Sequence, residues 1–423
     1  MTEQHPSEHT VQGIPVSALA EQFGTPMYLY DGDRLRGTYR ELRGLLDPRI
    51  DVFYSAKANP NVSVCAVLRA EGAGIEVSSL AELVTALRAG AAPQDVIFLG
   101  PGKSAEELRA CLDAGVHAVV CESLEELTAL DALAPPEGVR VLLRVNPLFS
   151  NKGSRLSMGG KPRQFGIDEE ILDGAGPLLR SLSRVRVEGV HAYMGTRILD
   201  AEAVAANTRG ILALAGRLSA ELGFPLHTVD IGGGLGVAYF DNEKDLDVAA
   251  AAHGVNTEVA AFLDEHPGCR VITELGRYLA GWCGLYVVRA RYVKQSRGEW
   301  FVVADGGTNH HMAAVGIGSF VKRNFPIRSL TRPQEPGRRP YTLTGPLCTP
   351  NDVIGKQVEL PDVEPGDLLG VERSGAYGPS ASPVLFLSHG HPAEVLVLDG
   401  HAHLVRRRDT VEDLLDRQIL VDV

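Results

Sequence analysis

Short apolar runs rich in β-branched residues recur through the first two thirds of the chain, and each is followed by a stretch with helical periodicity. This alternation is typical of βα units, in which a buried strand is followed by a helix. The first two helical stretches end at glycines, which readily adopt the left-handed conformation that closes a helix. Eight strands are predicted: VFYSAK (52–57), IEV (75–77), VIFLG (96–100), AVVC (118–121), VLLRVN (141–146), VEGVHAYM (187–194), TVDIGG (228–233) and RVITELG (270–276).

Eight such units in succession predict an α/β fold, specifically a (β/α)8 TIM barrel. After Ala280 the pattern changes to long β-rich runs with turns and few helices, which predicts a second, C-terminal domain built as a β-sandwich or β-barrel. One late helix is expected at DTVEDLLD. The β-rich runs are LYVVRARYVK, EWFVVADGG, VLFLSHG and AEVLVLDGHAHLVRR.

Length and charge are consistent with this division. A chain of 423 residues with 44% hydrophobic content exceeds the size at which one core stops growing, so two domains are expected. A net charge of -12 argues against sequence-independent nucleic-acid binding, which needs clustered basic residues. The stretch Lys322–Arg339 is an exception with six basic residues, and both a solvated surface loop and a docking surface for an anionic partner remain open.

The N-terminus is polar and lacks the apolar segment of a signal peptide, and no apolar run reaches the roughly 20 residues of a membrane span. We therefore expect a cytoplasmic protein with no membrane partner. The six cysteines contain no C-x-x-C pair that would indicate a zinc or redox site, and no metal is predicted. Five of them are interpreted as small core residues, whereas Cys348 lies in a distinctive loop.

Lys57 lies at the end of the first predicted strand. The C-terminal ends of barrel strands are where active sites form, and a lysine there can form a Schiff base once burial favours its neutral amine. An ordinary surface lysine at a strand end is the alternative. The glycine run Gly232–Gly236 follows the seventh strand, where barrels often bind a phosphate, although a tight structural turn would use the same residues.

These segments occur in an informative order: YSAKAN around Lys57, DIGGGLG from Asp230, ELGR at Glu274–Arg277 and GPLC around Cys348. The order resembles that of the fold type III pyridoxal-phosphate (PLP) decarboxylases, the family of diaminopimelate, ornithine and arginine decarboxylases with an alanine racemase-like barrel. The resemblance covers most of the chain and implies a PLP-dependent carboxy-lyase acting on an amino acid. It implies a PLP-binding barrel at 36–280 and a β-domain formed by 1–35 and 281–423, with TPMYLYDGD (25–33) supplying a strand.

The resemblance also implies roles for individual residues. Lys57 would form the Schiff base, and Glu274 would keep the pyridine nitrogen of the cofactor protonated, whereas related racemases place an arginine there. His191 is kept from the family motif H-x-H-x-G-S, here HAYMGTR, and Tyr193 takes the place of a histidine that stacks on the cofactor. The implied catalytic residues are Lys57, Cys348, Glu274 and His191. The implied cofactor-binding residues are Lys57, Tyr193, Thr196, Gly233, Gly234, Glu274, Gly276, Arg277 and Tyr377.

The family places the loop GPLCTPND (345–352) at a dimer interface, so the resemblance implies a homodimer with shared active sites. Cys348 would return a proton to the substrate after decarboxylation, and Asp352 would contact the substrate or the lysine of the opposite subunit. The implied substrate-binding residues are Arg163, Thr349, Asp352 and Tyr377.

Diaminopimelate decarboxylases usually read GPLCESGD, and their glutamate holds the distal ammonium group of the substrate. Thr349 and Pro350 fill that place here, so a distal amine is not expected to be selected. Together with the stretch SRLSMGGKPRQFGID (154–168), the motifs are most similar to those of the butirosin-type aminoacyl-carrier-protein decarboxylases. This resemblance implies an acidic amino acid, glutamyl or aspartyl, tethered to an acyl carrier protein in antibiotic biosynthesis, with the basic stretch available to meet the carrier.

Three alternatives remain. The first is a decarboxylase of a free amino acid such as meso-diaminopimelate, and the second is a racemase. The third belongs to another class, the non-enzymatic PLP carriers made of a single barrel. The β-rich residues 281–423 argue against this last reading, because such carriers lack a β-domain.

Overall fold

A computed structural model of the chain describes residues 8–149, 156–157, 162–315, 323–334 and 337–422. The chain divides into two compact units. One, called the barrel here, contains Arg36–Ala238 and Lys244–Leu279. The other, called the β-domain, contains the chain up to Leu35, Tyr239–Glu243 and the chain from Ala280 onward.

The barrel is closed by eight parallel strands, because the fourth strand pairs with the fifth and the eighth pairs with the first. The predicted (β/α)8 fold is therefore confirmed. Strand ends differ from the predicted ones by a few residues, and the first strand ends at Ser55 rather than at Lys57. The barrel strands, numbered in chain order, are Ile50–Ser55, Gly74–Val77, Val96–Phe98, Ala118–Cys121, Val139–Asn146, Val185–His191, Thr228–Gly233 and Arg270–Leu275. Ile167–Asp168 is a short parallel addition beside the fifth strand.

The strands are apolar because side chains on both faces of a parallel barrel are buried. A cluster inside the barrel joins distant parts of the sequence, including Phe53, Ile97, Val120, Leu142 and Ile272, all of them almost fully buried. Such layers fill the interior, so the fold is a packed core whose strand ends remain available for chemistry.

The helices begin at recurring S-x-x-E signals. Ser79, Ser104 and Ser123 each accept a hydrogen bond from the backbone N–H three residues later, which satisfies a free donor at the helix start. The predicted glycines Gly72 and Gly90 follow the helices Val62–Ala70 and Leu80–Arg88, with φ of 103° and 87°. The barrel helices, with the one that leads into the first strand, are Gly32–Leu45, Val62–Ala70, Leu80–Arg88, Ala105–Ala114, Leu124–Leu133, Glu169–Leu172, Gly176–Ser181, Ala201–Leu222, Val248–Glu265 and Arg277–Ala280.

The β-domain is built around the long strand Gly284–Ser296. The predicted early strand, observed at Met27–Asp31, pairs antiparallel with Gly284–Ser296 and parallel with Ala393–Leu398. Leu29, Val287 and Val395 from these three strands pack in one buried core. The other strands of this sheet are Glu299–Ala304, Ile327–Ser329, Arg339–Thr344, Val353–Leu360, Leu368–Val371 and His401–Arg406, while Thr10–Val11 pairs with Ile14–Pro15, and the helices are Val16–Phe23 and Val411–Leu415.

The prediction of a β-rich run at VLFLSHG is wrong. The segment forms a short 3-10 turn at Phe386–Ser388, and Leu387 and Ser388 have φ of 50° and 56°. Leu385, Phe386 and Leu387 are exposed, with 64%, 45% and 51% of their surface accessible. The apolar sequence alone favours a strand, but Pro383 precedes the run, the backbone turns within it and it pairs with no strand of the described residues.

Candidate active site

Lys57 lies two residues beyond the first barrel strand, in the 3-10 turn Ala56–Ala58. Its Nζ donates a 2.8 Å hydrogen bond to Oε2 of Glu76, a fully buried residue of the second strand. The hydroxyl of Ser78 donates a 2.8 Å hydrogen bond to the other oxygen of Glu76. The lysine is therefore held at the C-terminal end of the barrel strands by a carboxylate that is itself fixed.

A buried acidic cluster lies at the ends of the sixth, seventh and eighth strands. His191, Asp230 and Glu274 each present an atom within 4.8 Å of the others, and Nε2 of His191 is 3.5 Å from Oε2 of Glu274. Both carboxylate oxygens of Glu274 and both ring nitrogens of His191 are buried without a hydrogen-bond partner in the described residues. Such orphaned groups are rare in folded proteins and indicate a site built for a further polar group.

The pKa values of the two carboxyl groups in this cluster are shifted in opposite directions. Burial raises the pKa of Asp230 well above its usual range, and the nearby charge of Glu274 raises it further. Burial opposes the charged form of Glu274 as well, but His191 and Lys57 outweigh it and lower the pKa of Glu274 to about 2. The environment therefore favours the charged form of Glu274 and the neutral form of Asp230.

The glycines after the seventh strand allow neighbouring loops to approach closely. A Cβ on Gly233 would lie 1.8 Å from the carbonyl oxygen of Glu274, and a Cβ on Gly234 would lie 2.1 Å from that of Gly195. Gly234 also has a φ of 90°. The glycine loop therefore packs against the end of the eighth strand and against the loop after the sixth strand, where Thr196 directly follows Gly195.

The end of the eighth strand reaches the lysine as well. A Cβ on Gly276 would lie 2.8 Å from the Cβ of Ala58, next to Lys57 in the chain. Arg277 follows and begins the helix Arg277–Ala280. Tyr193 is half-buried, and its ring lies against Gly232, where an added Cβ would be 3.2 Å from Cδ2. The barrel thus brings together the predicted residues from the first, sixth, seventh and eighth strands.

Arg163 lies in the segment 154–168, of which residues 154–155 and 158–161 are outside the described residues. Arg163 itself is exposed and precedes the turn that leads to Ile167–Asp168. Its contact with a substrate stays a prediction.

The β-domain holds the other four predicted site residues. Cys348 is exposed, whereas the five other cysteines of the chain are buried. Tyr377 is half-buried with a φ of 56°, an uncommon conformation for a non-glycine residue. Thr349 uses its hydroxyl within the loop, accepting a 3.3 Å hydrogen bond from the backbone N–H of Asn351.

Asp352 is almost fully buried and is bonded within its own chain. One carboxylate oxygen accepts hydrogen bonds from the backbone N–H and the hydroxyl of Thr308, at 2.7 and 3.0 Å. The other accepts a 2.8 Å hydrogen bond from the backbone N–H of Leu347, the neighbour of Cys348. Asp352 therefore shapes the loop that displays Cys348, and its expected contact with the substrate or the opposite subunit stays a prediction.

Most of the basic stretch is neutralised locally. Arg328 forms an ion pair with Glu372, Arg332 contacts Asp367 at 2.6 Å, and Arg339 contacts Asp362 at 2.7 Å. Lys322 lies outside the described residues. Three of the five described basic side chains are therefore paired, which favours the surface-loop reading over a docking surface for most of this stretch.

Sequence reasoning did not single out Glu76 or Asp230 as site residues. Both are completely buried and both contact a predicted site residue. The signal was available, because each is an acidic residue inside an otherwise apolar strand, in GIEV and TVDIGG. An acidic residue in a strand that is buried on both faces needs a partner. Glu76 is also the next-to-last residue of its strand, which indicates the active-site face.

Residues 33–281 match the family described as pyridoxal-dependent decarboxylase, pyridoxal binding domain. The chain belongs to the pyridoxal-dependent decarboxylases. The decarboxylase is 39% identical over 410 residues to the L-glutamyl-[BtrI acyl-carrier protein] decarboxylase of Niallia circulans, with 96% of each chain covered. It is 33% identical to the diaminopimelate decarboxylase of Methanothermobacter thermautotrophicus, covering 96% of this chain and 95% of that one.

Solved structures agree with this membership. The diaminopimelate decarboxylase from M. jannaschi has a TM-score of 0.89 at 26% identity and covers 98% of this chain and 96% of its own. The enzyme from Helicobacter pylori complexed with L-lysine has a TM-score of 0.85 at 27% identity, with coverage of 95% and 98%. Among the described residues, no helix combines the length and apolar character needed to cross a bilayer.

The cofactor of the decarboxylase is pyridoxal phosphate, and the residues present fit it. The unpartnered oxygens of Glu274 can accept a hydrogen bond from a protonated ring nitrogen, and the low pKa of this residue keeps it able to do so. Lys57 provides an amine in the same strand-end region. The predicted identity of the cofactor and of the enzyme class is confirmed.

Proposed function

We propose that this decarboxylase removes the α-carboxylate of an acidic amino acid, glutamyl or aspartyl, carried as a thioester on an acyl carrier protein. A tethered substrate of this kind keeps a free α-amine and α-carboxylate, while its distal carboxyl group is bound to the carrier. The substrate therefore has no distal charge for the enzyme to pair.

The observation that carries the proposal is the bonding of the loop 345–352. Its single carboxylate, Asp352, is buried and accepts three hydrogen bonds from Thr308 and Leu347. Thr349 is an uncharged residue whose hydroxyl is bonded within the loop. A site that selects a distal ammonium needs an available carboxylate, and this loop supplies none. The 39% identity to a decarboxylase of a carrier-bound glutamyl group supports the same conclusion.

Each barrel residue would have its own role in the reaction. When bound, pyridoxal phosphate supplies an electron sink for the electron pair released as carbon dioxide leaves. Lys57 would hold the cofactor covalently and yield it to the substrate's amine, with Glu76 orienting its Nζ. Glu274 would keep the ring nitrogen protonated. Gly233, Gly234, Gly276, Arg277 and Thr196 would hold the phosphate, and Tyr193 would stack on the ring.

Cys348 would return a proton to the substrate's α-carbon after decarboxylation. Its exposure in the described chain agrees with a role toward a second molecule, and we propose that Cys348 of the partner subunit completes each site in a homodimer. Asp352 would act as a positioning residue for this thiol through Leu347.

A decarboxylase of free diaminopimelate is the second candidate. Relatives at 33% identity and structural neighbours carry that activity, which favours it on overall similarity. A racemase is disfavoured because a carboxylate, Glu274, lies where the related racemases place an arginine.

The test is mass spectrometry of the purified holoenzyme with glutamyl- and aspartyl-loaded carrier protein, run beside free diaminopimelate, lysine, glutamate and aspartate. Loss of carbon dioxide from an acylated carrier alone would support the tethered substrate. Release of carbon dioxide from a free amino acid, with both loaded carriers unchanged, would overturn it.

A further inference from the structure

A turn in the β-domain, residues 307–312, lies between two segments that carry predicted site residues. It follows the strand Glu299–Ala304 and contains two adjacent buried histidines, His310 and His311, which are 4% and 0% exposed. We call it the double-histidine turn. The carbonyl oxygen of Gly307 closes it by accepting hydrogen bonds from the backbone N–H groups of His310 and His311, at 3.0 and 3.2 Å.

One side of the turn holds the loop that displays Cys348. Thr308 donates to Asp352 through its backbone N–H and its hydroxyl, and Asp352 also accepts a hydrogen bond from the N–H of Leu347. The approach is close, because a Cβ on Gly307 would lie 2.4 Å from Oδ1 of Asp352. A residue without a side chain is therefore needed there. The placement of Cys348, which follows Leu347, thus depends on the turn.

The other side of the turn holds the segment around Tyr377. The backbone N–H of Met312 donates a 2.9 Å hydrogen bond to the hydroxyl oxygen of Ser382. That hydroxyl donates a 2.7 Å hydrogen bond to the carbonyl oxygen of Gly378, the residue after Tyr377. A single turn of the β-domain therefore fixes both the loop with the predicted proton donor and the segment with a predicted substrate contact.

His310 anchors the turn in three places. Its Nε2 lies 3.0 Å from the carbonyl oxygen of Gly390, and because a carbonyl oxygen only accepts, Nε2 is the donor. Burial lowers the pKa of His310 to about 4, so at pH 7 the ring is neutral and Nδ1 accepts from the hydroxyl of Tyr286 at 3.3 Å. The hydroxyl of Tyr28 donates a 2.7 Å hydrogen bond to the carbonyl oxygen of His310.

His311 braces the turn against a further segment. The hydroxyl of Ser374 donates a 2.8 Å hydrogen bond to the carbonyl oxygen of Val371, so it accepts from Nε2 of His311 at 2.7 Å. The ring of His311 also packs edge-on against Phe325, with ring centroids 5.4 Å apart. Buried polar networks with their partners in place rigidify a core and specify one arrangement of it.

We propose that His310 is a positioning residue for the decarboxylation, because it fixes the double-histidine turn and through it the placement of Cys348 and Tyr377 within the β-domain. The inference rests on the proposed function, in which Cys348 returns a proton to the α-carbon. Proton transfer needs its partners within hydrogen-bond reach, and a misplacement of about 1 Å can cost about 100-fold in rate. His310 would act through other residues and not by touching the substrate.

The test compares His310→Leu with His310→Gln in the holoenzyme. The leucine removes the donor to Gly390, whereas the glutamine keeps an N–H donor on a side chain of similar reach. We expect His310→Leu to lower kcat about tenfold or more with a smaller change in KM, and to speed backbone amide hydrogen exchange in 345–352 by about tenfold or more. His310→Gln should restore most of both properties.

His117→Leu is the matched control in the barrel. His117 is also a histidine whose pKa is lowered to about 4 by burial, and its Nε2 lies 3.2 Å from the hydroxyl of Thr228. It precedes the fourth barrel strand and belongs to the other compact unit. We expect His117→Leu to lower the melting temperature without speeding exchange in 345–352.

A second pair of variants decides the matter if His310→Leu does not fold. Thr308→Val removes only the hydroxyl contact to Asp352, and Thr308→Ser keeps it. Exchange in 345–352 should be faster and kcat lower in Thr308→Val than in Thr308→Ser. Cofactor absorbance and melting temperature verify that each variant is loaded and folded.

Unchanged kcat or unchanged exchange in folded His310→Leu would overturn the inference, as would equal values in the two Thr308 variants where that protein does not fold. An equal acceleration of exchange in His117→Leu would also overturn it, because the effect would then follow general stability. Failure of the proposed function gives a different result. Cys348→Ala would keep full turnover, while exchange in 345–352 would still respond to His310→Leu.

Discussion

Nζ of Lys57 donates a 2.8 Å hydrogen bond to Oε2 of Glu76, and Glu76 is completely buried. Because this buried carboxylate contacts the amine of the lysine, we expect its removal to affect turnover more than substrate binding. We expect Glu76→Gln to lower kcat about tenfold or more with a smaller change in KM, since a charge-assisted hydrogen bond to the amine is lost.

Ser78→Ala is the matched control, because it removes the hydroxyl contact to Glu76 and keeps the charge. Steady-state kinetics, with the cofactor absorbance band as a check on loading, measure both variants. An unchanged kcat in fully loaded Glu76→Gln would show that Glu76 does not position the lysine.

Asp230 gives a stability prediction with a defined sign. Its folded-state pKa is raised well above the ordinary 3.8, so above that pH the unfolded chain is ionised while the folded chain still holds the proton. Wild-type stability therefore falls as pH rises, by up to about 1.4 kcal/mol per pH unit from this group. Asp230→Asn mimics the neutral acid and should gain stability relative to wild type from pH 5 to 8.

The interval from pH 5 to 8 avoids the titration of Glu274. This residue has a folded-state pKa of about 2, so its contribution to stability is lost only as the pH falls below 4.5, the pKa of glutamate in the unfolded chain. Urea unfolding at each pH is the measurement. Asp230→Ala is the control for volume and for the 2.8 Å hydrogen bond from Gly232 N. A difference between wild type and Asp230→Asn that stays constant across the interval would contradict the neutral Asp230.

Asp352 should matter for both the loop and the thiol. In Asp352→Asn, the new amide N–H would face one of the backbone N–H groups that now donate to the carboxylate. We therefore expect the unfolding free energy to fall by about 1–3 kcal/mol and kcat to fall as well. The exposed neighbour Asn351, changed to Ala, is the control. If Asp352→Asn kept both stability and kcat, the positioning role would be incorrect.

The loop also predicts a change of specificity. Thr349→Glu restores a carboxylate where diaminopimelate decarboxylases carry one and should raise kcat/KM for free diaminopimelate about tenfold or more, because a charged group gains a partner. Thr349→Gln tests shape without charge and should give no gain. Equal responses of the two variants would argue against charge pairing as the basis of selection.

The proposed shared site can be tested by mixing inactive chains. Lys57→Ala and Cys348→Ala should each be impaired alone, since one lacks the amine and the other the proton donor. Co-refolded mixtures should recover activity, because a heterodimer contains one site with both residues intact. Activity measured against mixing ratio is the readout, and failure to recover despite heterodimer formation would place both residues in one chain's site.

The sequence predicted the barrel well because its signal is local. Each strand is a short apolar run, and residues such as Ser79 and Ser104 mark the helix starts that follow. The candidate site was predictable where a residue lies at or just beyond the C-terminal end of a strand, as Glu274 and Lys57 do. VLFLSHG was predicted wrongly because a strand needs a neighbouring edge, which the run itself does not encode.

The ion pairs of the basic stretch could not be predicted from the sequence either. The basic stretch has few acidic residues of its own, yet Arg332 and Arg339 meet Asp367 and Asp362 from later in the chain. In the same way, the bonds from Thr308 to Asp352 depend on two loops that are separated by 44 positions. Such contacts arise from tertiary packing, so motif similarity alone gave Asp352 a substrate role and missed its local one.

The distribution of the six thiols makes the native chain suitable for single-site chemical tagging. Burial raises the pKa of the other five cysteines and removes them from reagents, whereas Cys348 is exposed. A maleimide should therefore modify one position per chain without any engineered cysteine. Because Cys348 is also the proposed proton donor, a spectroscopic label or cross-linking arm attached to it should block turnover and, at the same time, report the approach of a carrier to the loop 345–352.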